Sequence, residues 1–131
     1  MLNIGLAVYD ILNNDEELNT VIGNRIYPVA VPNFDENKEN IQYPFITFTR
    51  GSIDITYTKD NIKNDVVNVN VDIWAKSYKQ VIDISMIVRE LLESIKGKYN
   101  GVDIQDSELT SAFEAFDTPN YYGQILTFAF M

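Results

Sequence analysis

Asp103, Asp106 and Glu108 place three carboxylates within a short stretch, the kind of oxygen density that Ca²⁺ sites draw on. Their spacing is not that of an EF-hand loop, which needs ligands at regular positions around a central glycine, so the trio reads as a solvated loop leading into a strand. Glu90 and Glu93 share a helical neighbourhood, as a general acid–base pair does, but Arg89 and Lys96 beside them favour ordinary surface pairing. Asp15-Glu16-Glu17 is accounted for by a helix start, where acids complement the positive end of the dipole. The 131 residues include no His and no Cys. Imidazole bases, Ser-His-Asp triads, thiol nucleophiles, disulfides and thiolate metal sites are therefore impossible. Carboxylates, Lys and Tyr remain as catalytic groups, and none is arranged for catalysis. The sequence thus predicts a non-enzyme with no catalytic, cofactor-binding or metal-binding residues.

Gly23, Gly51, Gly97, Gly101 and Gly123 form neither a GxGxxG motif nor a phosphate loop. Tyr121-Tyr122 and the single Trp74 could stack on bases, but no Lys or Arg clusters with them to hold the phosphates. The formal charge of −9 comes from 19 acidic and 10 basic residues spread evenly over both halves of the chain. Such a field opposes phosphate-backbone binding and repels a polyanion. No apolar run approaches the length of a membrane span, and Met1-Leu2-Asn3-Ile4 lacks the basic start of a secretory signal, which predicts a mature cytoplasmic product. Length argues for a single domain over 1–131, and 46% hydrophobic residues suffice for its core.

Leu2 to Leu12 puts Ile4, Val8, Ile11 and Leu12 on one helical stripe, with Asn3 as its cap. A second short helix opens at Asp15 and ends at Gly23, a natural left-handed position. Pro28 and Pro32 confine the stretch after Arg25 to an edge strand or loop, and Asn33 to Asn40 is polar and turn-like. Tyr43 to Tyr57 is strand-like but changes phase: Ile46 and Phe48 are apolar at even positions, Ile53, Ile55 and Tyr57 at odd ones. One face cannot hold both sets without an extra residue, and Gly51 is the place for that bulge. After a polar loop over 58–65, Val66 to Trp74 alternates cleanly, with Val67, Val69, Val71 and Ile73 opposite Asn68, Asn70 and Asp72.

Ser77 caps a long helix that ends near Lys96 with Gly97 beyond it, and Val81, Ile84, Val88, Leu91, Leu92 and Ile95 form its apolar face. Tyr99 to Ser107 is turn-rich. Glu108 to Phe116 and Tyr121 to Phe130 form a hairpin whose second strand, apolar on both faces, needs cover on both sides. The order α-α-β-β-β-α-β-β predicts an α+β domain: a mostly antiparallel sheet of about five strands with two main helices on one face. Two features suit an assembly surface. Ile82 and Met86 lie a turn apart on the outward side of the long helix, where lone apolar residues are also commonplace. Asn68, Asn70 and Asp72 are the wet face of a sheet in a monomer; in a ring they meet another subunit or line the bore.

A short helix leading into Gly23-Asn24-Arg25-Ile26-Tyr27-Pro28, then Tyr43-Pro44-Phe45-Ile46-Thr47-Phe48, forms the first half of a pattern. Its second half is the strand Val67 to Trp74 running into the Tyr78–Leu92 helix, and a last strand Tyr122-Gly123-Gln124-Ile125-Leu126-Thr127-Phe128. Together they resemble the tail-completion, or tail-terminator, proteins of long-tailed bacteriophages and prophages, over about Val8 to Phe130. The loops 33–40 and 58–65 carry no matching landmark. The resemblance implies a subunit that forms a ring, usually a hexamer, on the head-proximal end of the tail tube. Such a ring stops tube polymerisation and offers a face to the head connector or neck protein. Its partners are then itself, the tail-tube protein and the connector, with DNA passing through an acidic bore without specific binding, and no membrane. It also implies a place in the virion tail, assembled in the bacterial host cytoplasm. A neck or head–tail connector protein of similar architecture fits the same pattern, and a small carboxylate-dependent enzyme is the reading from another class.

With no cofactor or metal expected, thermal melting curves with and without EDTA should superimpose. A melting temperature lowered by EDTA and restored by Ca²⁺ would contradict the expectation.

Overall fold

Val67, Val69, Val71 and Ile73 are wholly buried, while Asn70 on the other face is exposed and Asn68 and Asp72 are half-buried. The clean alternation in the sequence is therefore a strand with one face in the core. The computed structural model describes residues 1–32, 41–57 and 63–131. Among them are the helices α1 (Ile4–Asn13), α2 (Glu16–Ile22) and α3 (Tyr78–Leu92). The strands are β1 (Ile26–Pro28), β2 (Phe45–Tyr57), β3 (Lys63–Ala75), β4 (Gly97–Tyr99), β5 (Val102–Ile104), β6 (Ser107–Asp117) and β7 (Tyr121–Phe130). The main sheet runs β1-β2-β3-β7-β6, antiparallel throughout except for the parallel β1–β2 pair at one edge. β4 and β5 form a separate small hairpin.

Helices α1 and α3 cover one face. Ile4, Val8 and Leu12 of α1 and Ile84, Val88 and Leu92 of α3 join Ile46, Phe48, Val67, Val71, Leu126, Phe128 and Phe130 in one buried cluster. Each such side chain contributes roughly 1.5–3 kcal/mol when removed from water. The expected α+β class and five-stranded sheet are observed. So is the phase change: the β2–β3 register shifts between Arg50 and Ile53, around Gly51, which keeps Ile46, Phe48 and Ile53 on the helix side. A second shift between Leu109 and Ser111 adjusts β6 against β7. At Gly123 a Cβ would come within 2.8 Å of the Trp74 ring, which lies against the glycine. The ring fills the space that a side chain would take.

Several local expectations are corrected. Asn3 stands at the start of α1 but its side chain makes no capping bond, whereas Asp15 accepts from Leu18 N–H at 2.9 Å as a cap should. Gly23 takes a positive φ of 67° with ψ at −129°, outside the left-handed helical region. The segment 63–65 belongs to β3 and not to a loop; the rest of that expected loop, 58–62, and the expected turn over 33–40 lie outside the described residues. Tyr99 to Ser107 includes most of the β4–β5 hairpin. β7 is interior, as expected, between β3 and β6, but the described helices cover only one of its faces, where Leu126, Phe128 and Phe130 are buried; on the other face Ala129 is buried and Ile125 half-buried.

Helix α3 stops at Leu92, short of Lys96, and the cause is Ser107. Its hydroxyl donates to the Leu92 carbonyl at 2.6 Å and accepts from Ile95 N–H at 3.0 Å, and its own carbonyl accepts from Ser94 N–H at 2.8 Å. A terminal helical carbonyl is satisfied from outside the helix, while Ser94 turns the chain away with φ of 58°. Ser107 is buried, so Ser107→Ala would leave two backbone groups without this partner. The expected loss is about 1–3 kcal/mol, read as a lower denaturation midpoint at unchanged m-value.

Candidate functional site

The sheet face away from the helices is a broad surface left open among the described residues. Alternation places Thr47 and Thr49 of β2, Asn68, Asn70 and Asp72 of β3, Ile125 and Thr127 of β7, and Ser111 and Phe113 of β6 on it. Thr127 Oγ1 donates to Asn70 Oδ1 at 2.8 Å across the β3–β7 seam. Asp54, Asp72, Glu108 and Asp117 share this face. Lys76 sits at its rim, 5.9 Å from the Tyr43 ring that stacks on Tyr121. The face is polar and net acidic.

Asp72 is its unusual member. Its Oδ1 is buried without a hydrogen-bond partner, and burial pushes its carboxyl above the ordinary range. Its cross-strand neighbours are Thr47 and Ile125, so no second carboxylate stands opposite it to complete an acid–base pair. Ile82 and Met86 belong to α3, on the other side of the sheet. Met86 is 65% exposed and borders a groove with Val21 and Glu17 of α2; Ile82 is half-buried. The five expected contact residues therefore form two groups with the sheet between them. Lys79–Asp83 and Arg89–Glu93 pair along the same helix, as their spacing implies. The aromatic residues weighed as a stacking platform are engaged within the chain. Tyr121 stacks on Tyr43 with centroids 4.4 Å apart, Tyr122 packs edge-on to Phe116 and Tyr78, and Trp74 lies against Gly123.

Two apolar surfaces lie outside the sequence reading. Leu2 (75% exposed), Leu6 and Tyr9 line a groove of about 650 Å³ between α1 and β1, together with Ile26, Pro28 and Phe48. Beyond Pro28, Val29 is 70% exposed and sits in a three-residue turn: Ala30 N–H returns to the Pro28 carbonyl at 2.7 Å, with Val29 at φ of 67°. Positive φ at a β-branched residue is strained by roughly 1–3 kcal/mol. The second surface is at the opposite edge, where Phe113 and Phe116 of β6 are 56% and 57% exposed on the two sides of the strand. Both left a signal in the sequence: Leu2, Leu6 and Tyr9 follow helical spacing on a second stripe of α1, and β6 is apolar at both parities.

No family model matches this sequence, and no curated protein matches it. Among solved structures, the fold is similar to that of a chain in the virion of a native gene transfer agent (GTA) particle, with a TM-score of 0.73. The likeness covers 95% of this chain and 90% of that one at 15% identity, so it is a likeness of fold.

The raised Asp72 carboxyl has a consequence for stability. A group whose folded-state value lies above its unfolded one favours folding most at low pH, and that advantage is lost as pH rises through the folded-state value. Asp72→Asn should therefore stabilise the fold at pH 7, by about 1 kcal/mol because the side chain is only half-buried. The gain should vanish as pH falls below the ordinary carboxylate range; paired melting curves across that range check it.

Proposed function

We propose that this chain is a structural subunit of a phage-type particle: a ring-forming tail terminator that caps the head-proximal end of the tail tube, stops its polymerisation and presents the head-joining surface. The observation that carries the reading is the fold likeness, over nearly the whole chain, to a chain of a gene transfer agent virion. The surface chemistry supports it. A subunit of this kind acts through contacts and not through reactive groups, in keeping with a chain that has no His and no Cys. The acidic sheet face, with Asn68, Asn70 and Asp72 along its middle strand, suits a bore from which DNA phosphates are repelled. On this reading the partners are further copies of the chain in a hexamer, the tail-tube protein and the connector, within the virion tail.

A neck or head–tail connector protein draws on the same fold likeness, and binding separates the two: a terminator binds the tail-tube protein and limits tube length, whereas a neck protein binds the connector alone. A carboxylate-dependent enzyme has its best candidate in Asp72, whose neighbours Thr47 and Ile125 offer it no partner for proton transfer. Light scattering on a size-exclusion column should show a ring or a concentration-dependent oligomer, and the chain should shorten tubes grown from tail-tube protein. A monomer that leaves tube growth unchanged would refute the terminator reading.

Ile82 and Met86 are the candidate contacts on α3. Replacing both with Lys should change stability by no more than about half a kcal/mol at Met86, somewhat more at half-buried Ile82, while placing unpaired charge in any contact there. The expected result is a folded protein with weakened assembly, measured as melting temperature beside oligomer mass and tube binding. Intact assembly in a folded double variant would move the contact elsewhere.

A further inference from the structure

We propose that neighbouring copies join head to tail, the groove of Leu2, Leu6 and Tyr9 on one copy, with Val29 just beyond its Pro28 end, receiving the β6 edge of the next with its exposed Phe113 and Phe116. The proposal rests on the ring reading above and names the surfaces that close the ring. The sheet order β1-β2-β3-β7-β6 places the two surfaces on opposite edges, four strand spacings or roughly 19 Å apart. One copy therefore cannot cover its own groove with its own β6. A two-fold contact would pair each surface with itself and leave the unlike one bare, whereas a head-to-tail repeat covers both at every junction.

Shape and charge agree on the pairing. The α1–β1 side is concave, and β6 is an outermost strand with one exposed ring on each of its sides, Phe113 on one and Phe116, edge-on to Tyr122, on the other. The residues lining the groove, from Leu2 through Tyr9 and Asn24 to Phe48, include no charged side chain. On a chain of net charge −9, that neutrality lets a second copy approach without like-charge repulsion at the contact. It matters for this partner because Glu114 and Asp117 flank the exposed rings and would be repelled by an acidic receiver. Val29 adds an independent sign. Its turn holds a β-branched side chain outward at φ of 67°, an arrangement strained in itself and one that leaves the side chain 70% exposed.

The test uses two variants of the full chain, Leu6→Lys to spoil the groove and Phe113→Lys to spoil the β6 edge. Both positions are more than half exposed, so both variants should melt with the wild type. Each alone should self-associate about a hundredfold more weakly or worse, because a charge is buried in the contact without a partner. Mixed in equal amounts they should form a one-to-one dimer and nothing larger, since the Leu6→Lys copy keeps a good edge and the Phe113→Lys copy keeps a good groove. Sedimentation velocity reads all three samples. Variants that assemble like the wild type, or a mixture that stays monomeric, would overturn the pairing while leaving the ring intact. A wild type that is monomeric and does not bind tail tube would instead remove the ring reading and the pairing with it. Should Leu6→Lys lower the melting temperature, Leu2→Lys, at a still more exposed position, takes its place in the same mixture.

Discussion

The side-chain period of β3 governs the architecture. Val67, Val69, Val71 and Ile73 are all wholly buried, and their strand is paired on both sides. A slip of one residue against either neighbour would turn Asn68, Asn70 and Asp72 into the core and four branched side chains into water. Both neighbours must therefore present their own apolar residues to the same side along the whole ladder. β2 manages this with its irregularity between Arg50 and Ile53, and β6, one strand further out, has its own between Leu109 and Ser111. The helices then pack on the face so fixed, and the other face is left to polar and acidic residues.

Function on the proposed reading divides along the same lines. On that reading what the chain uses is surface: a polar, acidic sheet face and apolar patches at the two sheet edges. Like charges spread over a subunit keep copies apart except where a contact is neutral or complementary. The acids of the open face and the uncharged groove are thus two parts of one arrangement, one discouraging contact and the other permitting it.

Where a feature depends on period or on a neighbour in sequence it was legible, apart from the ends of two helices, where Asn3 makes no capping bond and Gly23 is not in the left-handed helical region. The alternation of β3, the phase change at Gly51, the start of α2 at Asp15, the cap Ser77, and the pairs Lys79–Asp83 and Arg89–Glu93 are all of this kind. What depends on distant partners was not. The end of α3 is set by Ser107, fifteen residues beyond Leu92, and nothing near Leu92 announces it. Nor does a sequence show that Val29, among prolines, will hold positive φ, or that one oxygen of Asp72 will lack a partner on an otherwise wet face. The second stripe of α1 was readable, but a helix already explained by one apolar face draws no further question.

The place of β7 between β3 and β6 also sets an order for folding. β2–β3 and β6–β7 are hairpins that close locally, but the seam joining them pairs residues as distant as Val67 and Phe130, and its Asn70 and Thr127 are 57 positions apart, with α3 in the intervening chain. Closing that loop carries a larger entropy loss than either hairpin, and the β3–β7 pairing rewards it only once β7 is present. Until residues 121–130 have been synthesised, β3 holds its valine face with one edge unpaired, a template open to any other strand in reach. The nascent chain is most exposed to misassembly in that interval.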